Sequence, residues 1–193
     1  MTSITIIRHA PTAWNLEKRI QGHVDEPLNA KGREMAANWR LPGSPTFQKV
    51  LASPLVRVQE TARLMGYDPI PDRHLIEMDW GQWEGETLFD LRKRLGPAMA
   101  ENEARGLDFR PEGGESPRDV QERLKRLLIG IEGDVLAFSH KGVLRALYAL
   151  ARGWDMTCSP PDRLRNAHAH RFLVNGDGPP SIDRLNISLE GHL

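Results

Sequence analysis

The chain is poor in cysteine, has no excess of either charge and contains no long apolar run. Cys158 is the single cysteine among 193 residues, which excludes an intramolecular disulfide framework and fits a reducing cytosol. The 26 Lys and Arg residues balance 26 Asp and Glu residues, and a nucleic-acid-binding surface would need a basic excess. No apolar stretch could span a bilayer, and the N-terminus lacks the pattern of a signal peptide. We therefore expect a cytoplasmic protein with no membrane or nucleic-acid partner.

The length and composition suit a single domain with a substantial core. The chain has a mass of 21.8 kDa, and 39% of its residues are hydrophobic, which is ordinary for a globular protein. The pattern loosens between about 84 and 115, where short helical segments are interrupted by Gly96 and Pro97. We expect one domain over residues 1–193, with a helical insertion at about 84–115.

Predicted strands alternate with predicted helices along most of the chain. Apolar runs bounded by turn residues predict buried strands at 3–8, 49–53 and 134–140. Amphipathic spacing predicts helices between them, the clearest of which begins at Ser116 and Pro117. Two weaker strands follow near the end of the chain. This alternation predicts an α/β fold, a three-layer α/β/α sandwich around a mostly parallel, doubly wound sheet.

The first predicted strand ends at Arg8 and His9, just before Pro11. Proline cannot continue a central strand, so Arg8 and His9 are expected at the carboxyl end of the strand. Open α/β sheets build their ligand crevices at that edge. A permanent cation beside an imidazole suits the binding of a phosphoryl group and nucleophilic attack on it.

A second histidine, His140, follows the apolar run at 134–139 and precedes a predicted helix. The ends of two sheet strands can meet at one crevice, so His9 and His140 are expected to lie close together. Backbone N–H groups at the start of the following helix also favour a bound anion.

Arg57 and Glu77 are further candidates for the same site. Arg57 is predicted in the first turn of a helix, where a cation opposes the helix dipole unless it faces an anion. Glu77 follows a short run that we predict to be extended. A carboxylic acid with a raised pKa could protonate the leaving group of a phosphate ester.

Together these segments resemble the histidine phosphatase superfamily, the phosphoglycerate-mutase-like proteins. The blocks that carry the resemblance follow the order of the family over nearly the whole chain. They are Arg8-His9 with Thr12 and Asn15, 21–28 with Gly32, Ser53-Pro54-Leu55 with Arg57, Thr61 and Ala62, 77–85, 113–116, and Ser139-His140 with Gly142 and Arg145.

The resemblance implies a role for each of the matching polar residues. His9 is implied as the nucleophile that becomes phosphohistidine, and Glu77 as the proton donor. The implied phosphate-binding residues are Arg8, Asn15, Gln21, Arg57 and His140. Because the arginines and His140 supply positive charge, we expect neither a metal ion nor a cofactor.

Two positions depart from the pattern of the family. Ala10 replaces the usual glycine after the nucleophilic histidine, and Lys141 replaces the usual glycine after the second histidine. An alanine at position 10 requires a slightly different loop if that glycine normally has a conformation closed to other residues. Lys141 either adds a cation at the rim of the pocket or points into solvent.

The resemblance favours an enzyme of the phosphatase branch, a metal-independent phosphoric monoester hydrolase of the histidine acid phosphatase type. Its substrate would be a small phosphorylated metabolite. The alternative is a cofactor-dependent phosphoglycerate mutase, an isomerase with the same machinery but usually a longer insertion and tail. A non-catalytic phosphate-binding module is a further alternative, although no catalytic group is missing. The sequence leaves open whether the protein is a monomer or a homodimer.

Overall fold

The computed structural model describes residues 2–189 and 191, and in them it contains one six-stranded sheet and seven α-helices. The strands are β1 (Thr2–Arg8), β2 (Lys49–Ala52), β3 (Ile70–Pro71), β4 (Asp134–Ser139), β5 (His168–Val174) and β6 (Ser181–Ser188). The helices are α1 (Ala13–Leu16), α2 (Ala30–Asn38), α3 (Val56–Leu64), α4 (Leu88–Leu95), α5 (Pro97–Glu103), α6 (Pro117–Ile129) and α7 (Lys141–Arg152).

The sheet has the strand order β3-β2-β4-β1-β5-β6 and is mostly parallel, as predicted. β1 pairs in parallel with β4, β4 with β2, and β2 with β3. β5 is antiparallel to β1, and β6 is antiparallel to β5. A helix-containing connection lets parallel strands return to the same edge, whereas β5 and β6 are joined directly by a turn. The first four strands therefore share one carboxyl edge.

Helices cover both faces of the sheet and complete the predicted three-layer architecture. Alternate residues of the central strands point to opposite faces, because the side-chain period of a strand is two. Ile6 and Ala137 lie in a core with α6 and α7, whereas Ile7 and Phe138 lie in a core with α2 and α3. Central strands buried on both sides explain why these runs are apolar at nearly every position.

The two helices beside the site have clear sequence signals at their ends. Ser116 caps α6 and forms a reciprocal capping box with Asp119, and Pro117 occupies the first turn. Both arrangements satisfy or avoid unpaired N–H groups at a helix start. α7 begins directly after β4 and ends at Gly153, whose φ of 69° is left-handed. Glycine adopts that conformation without steric cost.

The extended run predicted before Glu77 is confirmed at β3 but ends there, at Pro71. Residues Arg73–Leu75 form a single turn of 3-10 helix. The carboxylate of Asp72 accepts a hydrogen bond from the His74 N–H and caps this turn. A local side-chain bond of this kind competes with extended backbone structure.

Two short helices, α4 and α5, occupy the stretch in which an insertion was expected. Leu91 and Met99 from these helices form a small apolar cluster with Ile20 and Trp83. This cluster is separate from the two cores of the sheet. No helix in residues 2–189 has the length and apolar character needed to cross a membrane.

We predict that Leu147→Ala destabilises the protein by about 2–5 kcal/mol, because it leaves a cavity in the core under α7. Leu147 is completely buried there. Ile129→Ala is the matched control, since Ile129 is 65% exposed at the end of α6, and a surface change of this kind stays within about 0.5 kcal/mol. Urea denaturation of both variants measures the difference. Equal stabilities would contradict the assignment of α7 to the core.

Candidate active site

The parallel pairing of β1 with β4 brings the two predicted histidines together. Arg8 lies opposite Ser139 in the register, so His9 and His140 are the residues that directly follow these two strands. The backbone N–H of His9 donates to the Ser139 carbonyl over 2.9 Å. The ring centroids of His9 and His140 lie 5.3 Å apart, with an interplanar angle of 62°.

The imidazole of His9 is held in a defined tautomer. Its Nδ1 lies 2.7 Å from the carbonyl oxygen of Ala10, and because a carbonyl only accepts, Nδ1 carries the proton. Nε2 consequently keeps its lone pair. Burial lowers the pKa of His9 well below its usual value, and the charges of Arg8 and Arg57 lower it further. The ring is therefore neutral at neutral pH, as a nucleophile requires.

Ala10 fits the loop after His9 without strain. Its φ is not positive, so this position does not need glycine. Its side chain is completely buried and packs in the core beneath α2 and α3. Its N–H donates to the hydroxyl of Thr61 over 3.0 Å. This departure from the pattern of the family adds a core contact and leaves the histidine in place.

Arg8 projects from the end of β1 next to His9. Its Nη1 donates to Oδ1 of Asn166 over 2.7 Å. Its Nε is buried and has no hydrogen-bond partner. An unpartnered buried donor is costly, so this N–H group can bind an acceptor that enters the site.

Arg57 is completely buried in the first turn of α3. Its Nη1 donates to the Val24 carbonyl and its Nη2 to the Gly22 carbonyl, both over 2.9 Å. Its Nε is also buried without a partner. Burial lowers the pKa of Arg57, and the carboxylates of Glu77, Asp25 and Glu84 oppose this shift. The guanidinium thus supplies fixed positive charge behind His9.

His140 is completely buried and bonded to the end of β2. Its Nε2 lies 2.8 Å from the hydroxyl of Ser53, and the Leu55 N–H donates to that same hydroxyl over 3.4 Å. We assign the ring proton of His140 to Nδ1, the tautomer in which the Ser53 hydroxyl donates to Nε2. Nδ1 has no partner. Burial is also the main cause of the lowered pKa of His140.

Glu77 lies in the same buried region, with 7% of its surface exposed. Its carboxylate accepts from the Met78 N–H over 2.9 Å and from the Gly142 N–H over 3.2 Å. Burial raises its pKa, and these hydrogen bonds together with Arg57 and Arg8 oppose the rise. A Cβ at Gly142 would clash with Oε1 of Glu77. Glycine at the start of α7 therefore permits the close approach of the carboxylate.

Asn15 and Gln21 are fixed by Thr12 at the start of α1. The Thr12 hydroxyl donates to Oε1 of Gln21 over 2.8 Å. The Thr12 N–H donates to Oδ1 of Asn15 over 3.0 Å, as part of the capping box of α1. Both amide side chains thereby present their NH₂ groups as the remaining donors.

A cavity of about 750 Å³ opens onto these residues. Of the predicted site residues, its wall includes Arg8, His9, Asn15, Gln21 and Glu77. Arg57 and His140 are not among the lining residues, and both are buried next to His9. The apolar part of the wall consists of Ile20, Met78, Trp80, Leu88, Phe109 and Met156. No group of three or more His, Cys, Asp or Glu residues in the described ranges could hold a metal ion.

Arg123 and Glu115 hold the backbone on either side of Glu77, a role that the sequence patterns did not predict. Arg123 donates from Nη1 to the His74 carbonyl over 2.5 Å and from Nη2 to the Glu77 carbonyl over 3.2 Å. Glu115 pairs with Arg123 at 3.2 Å and accepts from the Asp79 N–H. Glu115 precedes α6 and Arg123 lies within it, so no helical spacing links this pair to the segment around Glu77.

Glu84 was also missed as a support for Arg57. Its two carboxylate oxygens accept from the N–H groups of His23 and Val24, over 2.6 and 2.9 Å. The carbonyls next to those groups, on Gly22 and Val24, are the acceptors of Arg57. Glu84 therefore fixes the loop that orients the guanidinium.

Comparison with known proteins agrees with the fold. The family model of the histidine phosphatase superfamily (branch 1) matches residues 4–188. A crystal structure of the protein TTHB049 from Thermus thermophilus is 30% identical and superposes with a TM-score of 0.75. That match covers 97% of this chain and 99% of the other.

Two relatives represent different reactions. The 2,3-bisphosphoglycerate-dependent phosphoglycerate mutase of Methylobacterium radiotolerans is 30% identical, in an alignment that covers 90% of each chain. The fructose-2,6-bisphosphatase of Saccharomyces cerevisiae is also 30% identical, over 76% of this chain and 33% of its own length. Both a mutase and a phosphatase are thus among the relatives, and the family match extends over nearly the whole sequence. The chain belongs to the histidine phosphatase superfamily.

Proposed function

We propose that the protein is a phosphomonoesterase that hydrolyses a small phosphorylated metabolite through a phosphohistidine intermediate on His9. Glu77 acts as the general acid and then as the general base. Arg8, Asn15, Gln21, Arg57 and His140 bind the phosphoryl oxygens.

The observation that carries this proposal is a set of buried nitrogens without partners around His9. They are Nε of Arg8, Nε of Arg57 and Nδ1 of His140. Native proteins pair almost all buried polar groups, so several orphans in one site call for a ligand. Three donors with net positive charge suit the equatorial oxygens of a phosphoryl group.

The first half of the reaction transfers the phosphoryl group to His9. The lone pair of Nε2 attacks phosphorus while the bond to the ester oxygen breaks. Arg8 and Arg57 stabilise the charge on the oxygens, in an interior where such interactions are strong. Glu77 donates its proton to the departing oxygen, and its raised pKa keeps a larger fraction of the acid protonated.

The second half of the reaction returns the site to its starting state. The Glu77 carboxylate takes a proton from a water molecule, whose oxygen attacks the phosphorus of phosphohistidine. The N–P bond breaks, inorganic phosphate leaves, and Nε2 recovers its lone pair. The hydrogen bond from Nδ1 to Ala10 keeps the tautomer unchanged through both halves.

A phosphoglycerate mutase is the second candidate, and the M. radiotolerans relative favours it. The same phosphohistidine would then be transferred to an acceptor hydroxyl instead of water. A non-catalytic phosphate-binding module is less well supported, because a neutral histidine, an acid and the cations are all in place. We further propose that the reaction needs no metal ion, that residues 1–193 act as one domain and that the protein works in the cytoplasm.

We predict that His9→Ala lowers phosphate release from p-nitrophenyl phosphate by about 10³-fold or more, since no other group can form the intermediate. The activity of the unchanged protein should be insensitive to EDTA. His74→Ala is a control at a histidine outside the cavity, with 42% of its side chain exposed, and should retain activity. Substantial activity in His9→Ala, or its loss in EDTA, would show that the mechanism is wrong.

We predict that Glu77→Gln lowers kcat for an alkyl phosphate by about 10²–10⁴-fold, because the alkoxide leaves without a proton. The leaving group of p-nitrophenyl phosphate needs no proton. With this ester, the same variant should release a rapid burst of p-nitrophenolate and accumulate phosphohistidine. In the unchanged protein, kcat for the alkyl ester should fall as the pH rises through the raised pKa of Glu77. Stopped-flow absorbance and acid-quench trapping measure these effects. Equal losses on both esters, with no burst, would contradict the role of the acid.

The phosphatase and mutase reactions can be separated with 3-phosphoglycerate. A phosphatase should release inorganic phosphate whether or not 2,3-bisphosphoglycerate is present, since water is its acceptor. A mutase should form 2-phosphoglycerate only with that compound present, because it must first phosphorylate His9. Phosphorus NMR follows both products in one sample. Formation of 2-phosphoglycerate faster than phosphate would reverse our choice between them.

A further inference from the structure

Lys141 and Arg145 form a pair of cations on the wall of the active-site cavity. They lie four residues apart on α7, and both line the cavity that contains His9 and Arg8. Side chains at this spacing are neighbours on one face of a helix. The sequence allows two positions for Lys141, at the rim of the pocket or in solvent. In the structure it lines the cavity.

Neither cation is neutralised by the protein. Within residues 2–189, no side-chain hydrogen bond or ion pair links Lys141 or Arg145 to another residue. Two other cations of the same wall are compensated, since Arg19 pairs with Glu17 and Arg92 pairs with Glu103. The chain carries as many acidic as basic residues, but none of the acidic ones pairs with Lys141 or Arg145.

The placement of these cations is unfavourable for the helix itself. Like charges four residues apart repel each other, and a cation in the first turn opposes the helix dipole. The charges of Arg8 and Arg145 add to burial in lowering the pKa of Lys141, and Glu77 opposes them. An anion bound between the side chains would relieve the repulsion.

Arg145 is nevertheless held in place. Its guanidinium carbon lies 5.1 Å from the centre of the Trp154 ring, within the range of a cation–π contact. Such a contact uses the face of the guanidinium and leaves the N–H groups at its edge available. An oriented guanidinium edge matches a carboxylate or a phosphate with two hydrogen bonds.

We propose that Lys141 and Arg145 form a second anion subsite, which selects phosphate esters that carry a further carboxylate or phosphate group. The proposal rests on the proposed function, because it takes the site around His9 as the place of the transferred phosphoryl group. It adds the substrate class, a small metabolite with two anionic groups. The volume of the cavity, about 750 Å³, is sufficient for such a molecule.

Binding of non-hydrolysable phosphonates tests the subsite without requiring catalysis. Propylphosphonate carries one anionic group, 3-phosphonopropionate adds a carboxylate, and propane-1,3-bisphosphonate adds a phosphonate. Isothermal titration calorimetry should give a Kd at least about 10-fold lower for one of the doubly anionic ligands. Which of the two binds more tightly identifies the second group as a carboxylate or a phosphate.

Variants locate the source of the discrimination. Lys141→Met and Arg145→Met should each reduce several-fold the ratio of the Kd of propylphosphonate to the Kd of the preferred doubly anionic ligand. The double variant should abolish the preference. Lys141→Arg should restore it, because that variant keeps the charge. Lys31→Gln removes an exposed cation outside the cavity and should leave the ratio unchanged. Lys18→Met tests the other uncompensated lysine of the cavity wall.

The outcomes separate the subsite from the proposed function. No preference in the unchanged protein, equal losses for all ligands in Lys141→Met, or a preference that depends on Lys18 instead would each overturn the subsite. A preference that follows Lys141 and Arg145 supports it, even in a protein that fails to hydrolyse any phosphate ester. Hydrolysis with no preference in the phosphonate titrations would support the proposed function alone.

Discussion

The parallel register between β1 and β4 is the constraint on which the rest of the site depends. It places Arg8 opposite Ser139, and the chain must leave both strands at the next residue. Pro11 ends one strand and the start of α7 ends the other. A shift of one residue in either strand would turn the histidine of that strand to the opposite face of the sheet. The contact between His9 and His140 is thus a consequence of sheet pairing, which the two cores of the sheet stabilise.

The same placement concentrates charge in the interior, and the protein accommodates it through backbone groups. Arg57 is completely buried, yet it meets two carbonyls of a loop that Glu84 fixes. Glu77 accepts from two N–H groups. Fixed backbone dipoles stabilise a charge without neutralising it. The cations therefore keep their attraction for an anion, and the carboxyl group keeps a raised pKa, which direct ion pairs would have removed.

Local signals in the sequence were sufficient to predict the sheet and the residues at its carboxyl edge. The apolar runs that end at His9 and His140 indicate strands that are buried on both faces. Ser116 with Pro117 indicates a helix start, because both residues suit the unpaired N–H groups at that position. The contacts around Glu77 were not accessible in this way. Its approach to Gly142 and the bonds from Arg123 join segments far apart in the chain, and no local pattern specifies such pairs. The turn at Arg73–Leu75 was missed because one carboxylate, on Asp72, decides it.

The choice between hydrolysis and mutase chemistry depends on retention of the product, since both reactions form the same phosphohistidine. After the first transfer, a mutase must hold its intermediate until the phosphoryl group returns, whereas a phosphatase releases the alcohol and admits water. Retention requires binding to parts of the substrate other than the transferred group. In the described part of this chain, the uncompensated charges of Lys141 and Arg145 and the apolar wall near α4 and α5 are what the cavity offers for that purpose. In the reaction that we propose, the strength of their hold on a second anionic group would therefore govern both the substrate class and the fate of the phosphoryl group.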